Sequence, residues 1–161
     1  MNISLIGFSG TGKTAVSKLL ARRLDRKLIS TDEEITKKTK LSLGKIVQKY
    51  GWGRFRETES GVIEEIGDFD ECIIDTGSGV VLRNENIINL KKNGLVILLT
   101  ADINVAANRL KKQEKLEDKK SILMECEEKH KRAADYTIDT SNLSPEETCD
   151  LIAHYVQMEF Q

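Results

Sequence analysis

The chain has 161 residues, 25 basic and 26 acidic, for a net charge of −1, and 39% of its residues are hydrophobic. That length holds one domain with its own core, and the even charge balance excludes a dedicated nucleic-acid binder or a basic membrane surface. No apolar run is long enough for a membrane span or a signal peptide, so a cytoplasmic protein is expected.

Ile3-Ser4-Leu5-Ile6 reads as a short buried strand, and Val16, Leu19, Leu20 and Leu24 repeat at helical spacing. Between them stands Gly7-Phe8-Ser9-Gly10-Thr11-Gly12-Lys13-Thr14, which matches G-x-x-x-x-G-K-[ST]. A strand, a glycine loop and a helix start together form a nest of backbone N–H groups with the positive end of a helix dipole behind it, suited to phosphate oxygens. Lys13 would reach the β- and γ-phosphates of a nucleotide, and the Thr14 hydroxyl would hold Mg²⁺.

Lys27-Leu28-Ile29-Ser30 is expected as the second strand, followed by Thr31-Asp32-Glu33. Ligands of open parallel sheets collect beyond the carboxyl ends of strands, which makes Asp32 a candidate. It also reads as the N-cap of a helix starting near Glu33, and the two readings are compatible. Residues 41–66 read as helices interrupted near Gly51 and Gly53. Arg56 opens the second of them, and Glu59 follows at i+3, close enough to pair. Trp52, the only tryptophan, reads as a packing residue.

Cys72-Ile73-Ile74 is a compact apolar strand with Asp75 directly after it. That is the Walker B pattern, which positions Mg²⁺ or its waters; the plainer reading is a strand end with an Asp turn. Gly77-Ser78-Gly79 adds a second exposed backbone turn at the same sheet edge. Residues 84–93 read as a helix, 94–99 as a central parallel strand, and Asp102 to Leu110 as a helix carrying Arg109. Lys111 to Lys120 is either a solvated helical face or a cationic lid. Residues 121–134 read as a helix and Tyr136-Thr137-Ile138 as the last strand. Ser144-Pro145-Glu146-Glu147 is a capping box launching the closing helix. Cys72, Cys126 and Cys149 fit reduced thiols, and His130 and His154 read as surface or packing residues. The alternation of elements gives an α/β fold, a five-stranded parallel sheet with helices on both faces.

Along its full length the chain resembles the shikimate kinases, small relatives of the nucleoside monophosphate kinases. The resemblance rests on the P-loop, on Ser30-Thr31-Asp32 at the place of a D-x-D motif, on Phe55-Arg56-Glu57-Thr58-Glu59 as F-R-x-x-E, and on Gly77-Ser78-Gly79 as a G-G-G loop. It implies one P-loop kinase domain over 1–161, a three-layer sandwich with strand order 2-3-1-4-5, and transfer of the γ-phosphoryl of ATP to a ring hydroxyl of shikimate. On that footing Gly10, Thr11, Gly12, Lys13, Thr14, Ala15, Arg109 and Pro145 bind ATP. Thr14 and Asp75 serve Mg²⁺. Asp32, Arg56, Gly77, Ser78 and Gly79 bind the small-molecule acceptor within a subregion near 32–66, and Lys13 and Asp32 are catalytic. A lid is expected near 111–121, and a monomer without nucleic-acid or membrane partners.

The departures from the family pattern fall on one side. Ser30 stands where the family has an acid that orders Mg²⁺ waters, while Asp75 stands where it has a small or hydroxyl residue, as if the charge had moved from the second strand to the third. No arginine lies between Arg109 and Arg132, so the family's lid arginine is missing. Its late carboxylate-clamp arginine falls near Cys126-Glu127-Glu128-Lys129, and Lys115, Lys119, Lys120, Lys129, Lys131 or Arg132 would have to stand in. A lysine supplies a point charge in place of a two-pronged fork. A kinase for another hydroxylated acceptor and an ATP-binding regulatory module therefore stand beside shikimate kinase as readings. A GTPase does not, for lack of an N-K-x-D motif.

Overall fold

Five short apolar segments form one parallel sheet: β1 (Asn2–Ile6), β2 (Lys27–Ser30), β3 (Cys72–Asp75), β4 (Gly94–Thr100) and β5 (Tyr136–Asp139). The structure, a computed structural model, describes residues 1–109 and 126–161. Strand order is β2-β3-β1-β4-β5, as expected. Helices α1 (Lys13–Leu24), α2 (Thr31–Thr39), α3 (Leu43–Gly67), α4 (Asn84–Lys92), α5 (Ile103–Arg109) and α7 (Pro145–Glu159) cover it, with a helical segment α6 over 126–133. The expected lid near 111–121 and the start of the helix predicted from 121 lie outside the described residues.

The two-residue period of the strands sorts the core into two layers. Ile3, Leu5, Ile73 and Ile97 pack against Val16 and Leu20 of α1 and Ile152 of α7. Ile6, Ile29, Ile74 and Leu98 pack against Phe55, Val62 and Ile63 of α3 and Leu90 of α4. Each fully buried aliphatic side chain contributes about 1.5–3 kcal/mol relative to exposure. Burial on both faces explains why β4 is apolar almost throughout.

Three local features shape the carboxyl edge of the sheet. Gly51 takes φ 83° and ψ 171° inside α3, so two helices meet there at a break; Gly53 does not interrupt the second. That break lets the stretch with Phe55, Arg56 and Glu59 take its own direction toward the sheet edge. At α2 the N-cap is Ser30, whose hydroxyl accepts from the Glu33 N–H at 3.3 Å. Asp32, read from sequence as the cap, instead lies in the first turn, with its side chain available for other work. At α7 the capping box forms as expected, with Ser144 and Glu147 satisfying each other's backbone N–H groups. Among the described residues no helix is long and apolar enough to cross a membrane.

Candidate active site

The carboxyl ends of β1, β2 and β3 open on a cavity of about 770 Å³, within the range of small-molecule sites. The glycine loop between β1 and α1 forms its floor. Gly10 has φ 86°, and a Cβ there would collide with the Ala106 carbonyl of α5, so a residue without a side chain is required. Thr11 ties the loop internally by donating to the Phe8 carbonyl at 2.8 Å, and the Thr140 hydroxyl donates to the Thr11 carbonyl at 2.7 Å. The Lys13 ammonium donates to the Gly7 and Phe8 carbonyls at 2.6 and 3.1 Å. Burial lowers its pKa to about 8, although the negative charges of Asp75 and Asp32 act to raise it.

Asp75, the last residue of β3, accepts from the Thr14 hydroxyl at 2.9 Å. Burial raises its carboxyl above the ordinary value, opposed by the Thr14 bond and the Lys13 charge. Ser30 and Asp75 are direct cross-strand partners. A carboxylate on either residue therefore rises from neighbouring points of one sheet edge. Thr14 and Asp75 are hard oxygen donors beside a phosphate nest, a set that suits Mg²⁺ with water completing its shell.

Asp32 faces the cavity from α2. Burial, and then the charge of Asp75, raises its carboxyl, while Lys13 and Arg56 act to lower it. Opposite stands the loop after β3, fixed by two hydrogen bonds. The Thr76 hydroxyl donates to the Leu5 carbonyl at 2.8 Å, and the Gly77 N–H donates to the Thr31 hydroxyl at 3.0 Å. A Cβ on Gly77 would come within 3.0 Å of Asp32 Oδ1 and 3.1 Å of Glu59 Oε2, so the loop passes closely between these two acids.

Arg56 donates to Glu59 at 3.0 Å, as its i+3 spacing predicts. Glu59 is fully buried, its carboxyl raised by burial and held down by Arg56, and among the described residues its Oε2 atom has no hydrogen-bond partner. The Arg56 guanidinium lies directly on Gly79, where any Cβ would overlap it. It also faces the Trp52 ring at 5.3 Å and the Phe55 ring at 5.1 Å. Trp52, expected from sequence to pack, is 59% exposed and touches Phe55 edge-on at 5.7 Å.

On the far side, Arg109 donates to the Gly10 carbonyl at 3.3 Å, the Thr140 hydroxyl at 3.0 Å and the Thr140 carbonyl at 2.6 Å. Gly10, Thr11, Gly12, Lys13, Thr14, Ala15, Asp32, Asp75, Gly77, Ser78, Arg109 and Pro145 all line the one cavity. Arg56 and Gly79 do not line it; they form the adjoining cluster on the α3 side. Of the lysines and arginines considered as substitutes for the missing late arginine, Arg132 and Lys131 form exposed ion pairs with Glu128 and Glu127 on α6, and Lys129 and Arg132 line a separate pocket with Val81 and Leu82; none of the three lines the main cavity. Lys115, Lys119 and Lys120 lie outside the described residues.

Sequence reasoning missed His130. It is 4% exposed, beside the Ser78 backbone, and among the described residues its Nε2 has no hydrogen-bond partner of good geometry. Burial and the Lys13 charge lower its pKa to about 4, so the ring is neutral. The only sequence signal was its spacing from Cys126 and Ala133, three buried positions on one face of α6.

A nest of N–H groups, a buried lysine, hard oxygen donors for a cation, and a facing carboxylate, arginine and glycine turn can together receive a polyphosphate and a small hydroxylated anion. Comparison with known proteins points the same way. A family model described as shikimate kinase matches residues 9–157. The shikimate kinase of Thermodesulfovibrio yellowstonii is 40% identical over 94% of this chain and 92% of its own length. That of Pelotomaculum thermopropionicum is 38% identical over 97% of this chain and 95% of its own. The structure of Acinetobacter baumannii shikimate kinase in complex with shikimate superposes with a TM-score of 0.90 at 28% identity, covering 98% of this chain and 93% of that one. Aquifex aeolicus shikimate kinase does so with a TM-score of 0.86 at 28% identity, covering 99% and 98%.

Proposed function

The chain belongs to the shikimate kinase family, and from that membership we propose that it transfers the γ-phosphoryl of ATP to a ring hydroxyl of shikimate. The observation that carries the reading is the facing of two half-sites. The phosphate nest with Lys13 and Thr14 stands across one cavity from Asp32 and the Gly77-Ser78 turn, with Arg56 adjoining.

Each residue then has a task. Gly10, Thr11, Gly12 and Ala15 offer backbone N–H groups to the phosphates. Lys13 leaves the loop carbonyls for the β- and γ-phosphate oxygens, whose charge restores its full protonation. Arg109 and Pro145 flank the adenine. Thr14 and Asp75 hold Mg²⁺ and its waters, which when bound neutralise developing phosphate charge. Asp75 thereby takes over from the acid that Ser30 replaces, and their cross-strand pairing supports the exchange. Ser30 keeps a structural duty as the cap of α2.

Asp32 accepts a hydrogen bond from the acceptor hydroxyl and takes its proton. Its raised pKa brings the carboxylate closer to the strength a base needs. Arg56, braced by Glu59, holds the acceptor carboxylate, and the Gly77-Ser78-Gly79 turn lets the acceptor ring approach the backbone. Positioning and fixed charge supply most of the acceleration. The setting is the cytoplasm, where ATP and a soluble hydroxy acid meet.

The test is ADP release by the purified chain with ATP and Mg²⁺, with and without shikimate, against a panel of hydroxy acids and polyols. Release that depends on shikimate and exceeds that with every other acceptor is expected. Release that prefers a different acceptor would move the protein to another substrate. Tight ATP binding with no acceptor-stimulated release would make it a nucleotide-binding module.

A further inference from the structure

His130 is a buried polar side chain to which the transfer chemistry gives no task. It stands on α6 behind the Gly77-Ser78-Gly79 turn, which reaches the cavity through Gly77 and Ser78. Two carbonyls of the turn are already engaged: Gly77 accepts from the Val80 N–H at 3.3 Å, and Gly79 from the Leu82 N–H at 3.1 Å. Among the described residues the Ser78 carbonyl accepts from no backbone N–H, and the Ser78 and Gly79 N–H groups donate to no partner. The backbones of Cys126 and Ser78 both act to raise the pKa of the imidazole, as carbonyl acceptors do when they favour the protonated ring. Yet Nε2 completes no bond of good geometry among the described residues. A loose carbonyl and a loose ring nitrogen thus meet behind the acceptor turn.

We propose that His130 is a positioning residue of the acceptor site: its Nε2–H closes on the Ser78 carbonyl as the acceptor seats on the turn, and so fixes the Ser78–Gly79 peptide. The inference rests on the acceptor-site reading of the proposed function. Burial and the Lys13 charge keep the ring neutral, so it carries a single N–H. Cys126 lies one turn back on the same helix, where its carbonyl has the His130 backbone N–H as its regular partner. The Ser78 carbonyl has no such partner, so the ring proton stabilises most when it sits on Nε2. A trans peptide is planar, with its C=O and N–H on opposite edges. Holding the Ser78 carbonyl toward α6 therefore turns the Gly79 N–H the other way, as a donor toward the acceptor, next to the Arg56 guanidinium that lies on Gly79.

A neutral hydrogen bond made only in the bound state should change acceptor binding about two- to tenfold. His130→Leu, which removes the donor, is expected to raise the KM for shikimate by that factor, with kcat changed less and the KM for ATP unchanged. Its Tm without ligands should not fall, because the empty site loses only an unpartnered polar group. His130→Gln should recover most of the loss in KM, since its amide N–H reaches about the place of Nε2. A purely structural residue would lower Tm and leave the KM alone. The chain has two histidines, and His154 is exposed on α7, so nitrogen NMR of the labelled rings reads His130 in the unaltered chain. With ADP and saturating shikimate its ring should be protonated on Nε2, with a shift that follows shikimate occupancy, while His154 stays unmoved. Arg56→Ala separates the acceptor site from its support. If it leaves the KM for shikimate unchanged, the acceptor-site reading itself fails. If it raises that KM while His130→Leu does not, if His130→Gln does no better than His130→Leu, or if Nε2 is bare or unmoved by shikimate, the role given to His130 is overturned.

Discussion

Gly79→Ala puts one methyl group where the Arg56 guanidinium now lies. Gly79 has φ −98° and ψ 11°, which alanine adopts without strain, so the backbone can stay as it is. The added Cβ, however, would overlap both terminal nitrogens and the central carbon of the guanidinium. Arg56 must swing away, and with it goes the 3.0 Å bond to a fully buried Glu59. A hydrogen bond to a charged partner is worth about 1.5–3 kcal/mol. Protonation of Glu59, whose carboxyl burial already raises, offsets part of the cost. The expected stability loss is about 2 kcal/mol, or about 4–8 °C in Tm for a chain of this size. Loss of the equivalent bond to the acceptor carboxylate lowers kcat/KM for the acceptor by about 10- to 150-fold, with the KM for ATP unchanged. Steady-state ADP-release kinetics read this. A double-mutant cycle with Arg56→Ala separates displacement of the arginine from any direct effect of the methyl group, since the two losses should overlap almost completely. Acceptor kinetics within twofold of the unaltered chain, or losses that simply add, would refute the placement of Arg56 against the loop.

Other consequences are equally measurable. Asp75→Ala should raise the Mg²⁺ concentration needed for half-maximal activity about tenfold or more while sparing acceptor affinity; an unaltered Mg²⁺ titration would sink the exchange of roles between Ser30 and Asp75. Lys13 has a pKa near 8 in the free protein, and phosphate should raise it. Binding of ATP above pH 8 should therefore take up close to one proton, seen as a dependence of calorimetric enthalpy on buffer ionisation, and Lys13→Met should abolish that uptake. His130 has a folded pKa of about 4 against an ordinary 6.5. The unfolded chain binds its proton first as pH falls, so the stability present above pH 6.5 is lost progressively toward pH 4. The loss is at most about 3 kcal/mol. His130→Gln should flatten denaturation midpoints across that window relative to the unaltered chain, and an equally steep slope in the variant would assign the effect to other groups.

The features legible in the sequence were those that depend on neighbours in the chain. The glycine loop, the capping box at Ser144, the Arg56–Glu59 pair and the break at Gly51 each arise from residues a few positions apart. The apolar strands were legible because burial on both faces leaves no room for polar residues. Relations across the fold were not. That Ser30 and Asp75 stand side by side depends on the β2–β3 register. That Arg56 lies on Gly79 depends on where the break in α3 aims the following helix. His130 looked ordinary because nothing in a lone histidine tells a buried ring from a solvated one. Trp52 was read inward because tryptophan usually is, whereas a guanidinium one turn away gives it a reason to stay at the surface.

Transfer between two substrates in one cavity leaves its mark in the product. The purified chain, incubated with ATP, Mg²⁺ and shikimate, can be followed by phosphorus NMR. A new phosphate-monoester signal coupled to a ring C–H proton is expected, growing in step with ADP and absent without shikimate. ATP bound at the P-loop, with shikimate present and no such signal formed, would contradict it.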